Sequence, residues 1–119
     1  MLKVYAYKGC STCRNAVKWL TARQLPFAEI AIREQPPTPA ELAQLLHQRG
    51  GEIRALFNTS GLDYRTEGWK DKLPQLAEAD ALAALAANGN LIKRPVVIDT
   101  EHGIALNGFK EAEWAACLG

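Results

Sequence analysis

Two cysteines stand close together near the N-terminus, in Lys8-Gly9-Cys10-Ser11-Thr12-Cys13-Arg14. A pair at this spacing suits thiol–disulfide exchange, in which one thiolate attacks and the other resolves, or half of a zinc site. Zinc is the weaker reading: a structural site takes four ligands, and His47, His102 and Cys117 supply no second close pair. Simple burial is weak too, because Gly9-Cys10-Ser11-Thr12 is too polar for a core. The pair therefore points to redox chemistry with no metal. The thiolate is the reactive form, so Cys10 must have a lowered pKa. A cysteine just ahead of a helix meets unsatisfied N–H groups and the positive end of the helix dipole. Lys8 and Arg14 add positive charge nearby, and Cys13, one turn deeper, is the natural resolving thiol.

The elements that position this pair follow from the flanking pattern. Leu2, Val4 and Ala6 alternate with Lys3, Tyr5 and Tyr7, which predicts a first strand. Ser11 is the expected N-cap of a helix whose apolar face is Cys13, Ala16, Val17 and Leu20, running to about Gln24. Pro26 ends it, and 27–32 reads as a second strand, parallel to the first in a right-handed β-α-β unit. Thr38-Pro39-Ala40-Glu41 has the N-cap, first-turn proline and N3 glutamate of a capping box. It opens a helix that ends at Gly50-Gly51. From Ile53 to Leu85 the pattern is helical but broken, with loops at 58–61 and breaks at Gly68 and Pro74, and 80–87 is strongly helix-forming. Val96–Asp99 and Ile104–Leu106 flank a turn and predict an antiparallel hairpin. A last helix over 109–118 is expected to turn Trp114, Cys117 and Leu118 inward. Trp19, Trp69 and Trp114 lie on separate elements and read as packing anchors. His47 and His102 read as exposed.

This order is β-α-β, then helices, then β-β-α. It is an α/β arrangement with the skeleton of a thioredoxin or glutaredoxin core, a helical insertion over about 38–90 interrupting one domain of residues 1–119. In such a core the pair before the third strand, Arg94-Pro95, faces the cysteine loop. A cis bond at Pro95 is expected by that analogy, and Arg94 would present its guanidinium to an oxyanion over Cys10.

The chain has 119 residues, 48% hydrophobic and 23% charged, the balance of one ordinary globular domain. With 14 Lys+Arg against 13 Asp+Glu the net charge is +1, so no global field draws it to nucleic acid or acidic lipid. Any anion site must be local. No segment has the length and apolarity of a membrane span or a signal peptide, so a cytoplasmic location is expected.

The motif 8–14, the segment Leu91-Ile92-Lys93-Arg94-Pro95-Val96-Val97 and the stretch Leu106-Asn107-Gly108-Phe109-Lys110 together resemble the arsenate reductase family of the thioredoxin superfamily, over essentially the whole chain. The resemblance implies that Cys10 attacks arsenate, that Arg94 holds the oxyanion, and that glutathione and glutaredoxin, or another thiol donor, supply electrons, with no cofactor bound. Two further oxyanion arginines of the well-characterised reductases fall on Asn58 and Asn107. Catalytic roles are thus expected for Cys10, Cys13, Arg14 and Arg94. Substrate contacts are expected from Lys8, Ser11, Thr12, Asn58, Pro95 and Asn107. The family also includes the redox-sensing regulators Spx and MgsR, which resemble this chain in keeping both cysteines. For these the resemblance implies a disulfide switch and docking on the RNA polymerase α-subunit through a glycine that falls near Gly51. Two functions follow: a thiol-disulfide oxidoreductase acting on an oxyanion or disulfide, or a regulator switched by its cysteine pair.

Overall fold

Strand β1 (Leu2–Ala6) pairs on both edges. It runs parallel to β2 (Phe27–Ala31), with Leu2 opposite Phe27 and Ala6 opposite Ala31, and antiparallel to β3 (Val96–Asp99). β3 turns back into β4 (Ile104–Asn107), so the sheet order is β2-β1-β3-β4. The computed structural model describes residues 1–118. Helix α1 (Ser11–Ala22) makes the crossover between the two parallel strands, as right-handed β-α-β geometry requires.

Each face of the sheet is covered by different helices. Leu2, Val4, Ala6, Val97 and Leu106 meet Cys13, Ala16 and Leu20 of α1 and Trp114 of α6 (Glu111–Leu118). On the other face Tyr5, Val96, Ile98 and Ala105 pack under Leu42, Leu45 and Leu46 of α2 (Pro39–Gln48) and Leu82 and Leu85 of α5 (Glu78–Ala87). Between them lie α3 (Leu62–Thr66) and α4 (Trp69–Lys72), with 3-10 turns at Ile53–Leu56, Leu73–Gln75 and Gly89–Leu91. The broken middle of the chain is therefore a lid over one whole sheet face. It explains why Tyr5, on the polar side of the strand alternation, is buried. Its hydroxyl donates to Glu41 Oε1 at 2.8 Å, and Lys3 pairs with the same carboxylate. Glu41 also closes the expected capping box: Thr38 N–H donates to Glu41 Oε1 at 3.0 Å, and Glu41 N–H to Thr38 Oγ1 at 3.2 Å. One carboxylate thus caps α2 and ties it to the sheet.

Several boundaries differ from expectation. α1 stops at Ala22, because Gln24 adopts φ 58 and accommodates the turn into Pro26. β2 ends at Ala31, α5 starts at Glu78 and α6 at Glu111. Cys117, expected in the core, is exposed. α6 touches the sheet only along a narrow seam through Trp114 and partly buried Leu118, and Cys117 falls beside it. The tryptophans pack as expected, although two of them meet: Trp19 and Trp114 are edge-to-face at 6.1 Å, with Phe109 5.0 Å from Trp114. Trp69 lies 5.3 Å from Phe57 in the other core.

Candidate active site

The chain leaves β1, turns with Cys10 N–H donating to Tyr7 O at 3.0 Å, and enters α1. Cys10 itself is the N-cap, at φ −95 and ψ 117, and its Sγ accepts the Cys13 N–H at 3.4 Å. Ser11, the expected cap, is instead the first helical residue and points away exposed. The thiol occupies the place usually filled by a hydroxyl or carboxylate, which aims a backbone donor and the helix dipole at sulfur. Burial raises the Cys10 pKa. The Cys13 N–H and thiol and then the Arg94 guanidinium outweigh it, leaving Cys10 below the ordinary cysteine value. Cys13 behaves in the opposite way. It is 1% exposed, and burial pushes it up to about 12, the Tyr7 backbone N–H only partly offsetting this while Cys10 adds to it. The pair is thus split into a poised thiolate and a protonated reserve.

The peptide bond Arg94-Pro95 is cis, as expected. Arg94 lies beside Cys10, its Cζ 5.2 Å from the centroid of Tyr7, and its buried Nε finds no hydrogen-bond partner among the described residues. Arg33 also stands over that ring, its Cζ 4.7 Å from the centroid. Tyr7 also underlies the loop: a Cβ on Gly9 would stand 2.6 Å from its ring, so a side chain there would push the ring aside. Arg14 and Lys8 take other places. Arg14 Nη1 donates to the Lys8 carbonyl at 2.8 Å, bracing the turn in solvent, and both line an apolar groove beside Cys13 and Val17 rather than the cleft above Cys10. The positive charge at the thiolate comes from Arg94, on the far side of the sequence.

Above Cys10 opens a cleft of about 510 Å³. Of the expected contacts it takes in Thr12, Asn58, Arg94 and Asn107, while Pro95 is buried. It also takes in Arg49, Lys93, Lys110 and Glu113, which sequence reasoning did not single out. Asn107 is the floor. Its Nδ2 donates to the carbonyls of Ala55 at 2.9 Å and Lys93 at 3.3 Å, and its Oδ1 accepts Arg49 Nε at 2.9 Å. The amide is therefore spent on the protein. Arg49 Nη2 donates further to the Asn107 carbonyl at 2.9 Å, and its fork grips Glu113 at 2.6 and 3.1 Å. That arginine is the C-cap of α2, stopped there by Gly50 and Gly51 at φ 67 and 81. The glycine pair was legible; the destination of the arginine before it was not.

A cysteine capping the first helix of a β-α-β unit, with a helical cover and a closing β-β-α unit, defines a thioredoxin-like α/β protein. The sequence model of the ArsC family matches residues 5–117, and the chain belongs to this family. It is 42% identical to the uncharacterised Bacillus subtilis protein YusI over 113 residues, 95% of this chain and 94% of that one. The crystal structure of a possible arsenate reductase from Streptococcus mutans superposes with a TM-score of 0.84 at 39% identity, covering 92% of both chains. The global transcriptional regulator Spx of Enterococcus faecalis is 28% identical over 113 residues, 95% of this chain and 83% of that protein. Among the described residues no helix is long and apolar enough to cross a membrane.

Proposed function

We propose that the protein is a cytoplasmic thiol oxidoreductase in which Cys10 attacks an oxyanion such as arsenate, or a disulfide. The observation that carries this reading is the Cys10 sulfur on the N-cap of α1, beside Arg94 and open to a cationic cleft. With a disulfide, the Cys10 thiolate forms a mixed disulfide and expels one thiolate. With arsenate, a sulfur–arsenic bond forms as one oxygen leaves as water. A donor thiol of the glutathione or glutaredoxin type then attacks the Cys10 sulfur. The S–As electron pair stays on arsenic, which falls from As(V) to As(III) as an S–S bond forms. A second donor thiol frees Cys10. Arg94 supplies charge-assisted hydrogen bonds to the bound oxyanion. Asn58, which lines the cleft, offers a neutral donor. Cys13 resolves adducts by forming Cys10–Cys13, but burial holds its thiol protonated at neutral pH. An external thiol is the faster route.

A second reading is favoured by the retained cysteine pair and the likeness to Spx: oxidation to Cys10–Cys13 would switch a contact with RNA polymerase, made by protein surfaces rather than direct nucleic-acid binding. A glutathione- and glutaredoxin-coupled NADPH assay, with arsenate and separately with a small disulfide, separates the two. Turnover lost in Cys10→Ser supports the oxidoreductase. Absence of turnover, with a redox-dependent complex on the polymerase α-subunit, replaces it with the regulator.

A further inference from the structure

Arg49 borders the cleft, yet its charge is already engaged. Four of its five N–H groups have protein acceptors: Nε and one Nη2 hydrogen on Asn107, one hydrogen from each terminal nitrogen on Glu113. The two partners are not equivalent. Asn107 is buried in β4 and holds the guanidinium from behind through both side chain and backbone, whereas Glu113 lies on α6, 31% exposed, with its carboxylate on the cleft. Without Glu113 the arginine would stay anchored by Asn107 and present a parallel pair of N–H donors to the cleft. That pair has the geometry that grips two oxygens of a carboxylate, and equally two oxygens of a tetrahedral oxyanion.

We propose that Glu113 sets the anion specificity of the cleft by masking Arg49, weakening its hold on dianionic tetrahedral oxyanions. The charges on the cleft support this. Arg49, Lys93, Arg94 and Lys110 face one carboxylate, and Lys93 and Lys110 both act on Glu113 as well as Arg49. Glu113 is tethered, so an incoming dianion must displace it against a high effective concentration and suffer its repulsion. The inference rests on the reading of this cleft as the substrate site.

The test uses reduced full-length protein and inorganic phosphate, an inert dianionic isostere of arsenate, as protector of Cys10 against iodoacetamide, at ionic strength matched with chloride. Glu113→Gln is expected to tighten phosphate about tenfold relative to the unsubstituted chain. The double variant Glu113→Gln/Arg49→Gln is expected to return to the starting affinity, which separates the unmasked arginine from a general change of field. A Glu113→Gln protein that is folded by circular dichroism but binds phosphate no tighter overturns the proposal. So does a gain that survives in the double variant, or the absence of protection in both proteins. A tie that merely joins α6 to α2 predicts a lower Tm with unchanged phosphate affinity. Arg94→Gln, run alongside, reports on the site itself: protection that survives its loss counts against the active-site reading, independently of the Glu113 result.

Discussion

The two walls of the cleft are built on opposite principles. On the wall made by α1 and the start of β3, charges are left incompletely satisfied: the Cys10 sulfur has one backbone donor, and the buried Nε of Arg94 has no acceptor among the described residues, only the Tyr7 ring near its guanidinium. On the wall made by the end of α2, by β4 and by α6, the strong groups are engaged with one another, Arg49 with Asn107 and Glu113. Unspent polarity stores interaction for an incoming ligand, whereas a closed network spends it on stability and position. The first wall keeps polar groups open to the cleft, and the second sets its shape and charge.

Substitutions should follow that division. The largest effect is expected for Cys10→Ser, which removes the nucleophile and should abolish turnover in the coupled assay with no more than a minor change in Tm. Next comes Arg94→Gln: the pH profile of Cys10 alkylation should move to higher pH, since a cation that favours the thiolate is lost. The rate at pH 7 should fall about tenfold, which corresponds to one pH unit. An unmoved profile would show that the helix terminus alone poises the thiol. On the other wall, Asn107→Ala should act mainly on stability, costing about 2–3 kcal/mol in urea denaturation, because it strands the Ala55 and Lys93 carbonyls and Arg49 Nε. Loss of activity without loss of stability would instead make Asn107 a ligand.

Smaller effects test the reserve thiol and the surrounding ion pairs. Cys13→Ser should keep turnover within about threefold when glutathione is abundant, given the small thiolate fraction at neutral pH. Its retention would place resolution with the external donor. Glu113 and Glu41 both have pKa values below the ordinary carboxylate. For Glu113 the Arg49 hydrogen bond is the leading cause; for Glu41 burial opposes the shift but Lys3, Thr38 and Tyr5 outweigh it. Such groups stabilise the fold fully above the unfolded pKa of about 4.5, and lose that contribution as pH falls through their lower folded values. Acid unfolding followed by circular dichroism should therefore begin below about pH 4.5. Glu113→Gln should cost at most about 1 kcal/mol at neutral pH, since the pair is partly solvated.

What the sequence determined by itself was everything carried by neighbours along the chain. The cysteine spacing ahead of a helix, the Thr38–Glu41 capping box, the Gly50-Gly51 stop and the hairpin around residues 100–103 each depend on contacts within a few residues, and each appears where the pattern put it. Even there, the choice of Cys10 over Ser11 as N-cap depended on how the Tyr7–Cys10 turn delivers the chain to α1. Only the tertiary structure decided which cation reaches which anion. Arg14 is near Cys10 in sequence but braces Lys8, while Arg94 arrives from β3. Arg49 meets Asn107 and Glu113 across 58 and 64 residues, and Cys117 turns outward because α6 packs through Trp114 and Leu118. Long flexible side chains have no periodic signature of their partners, so their pairing is set by where the packed sheet and helices bring their backbones.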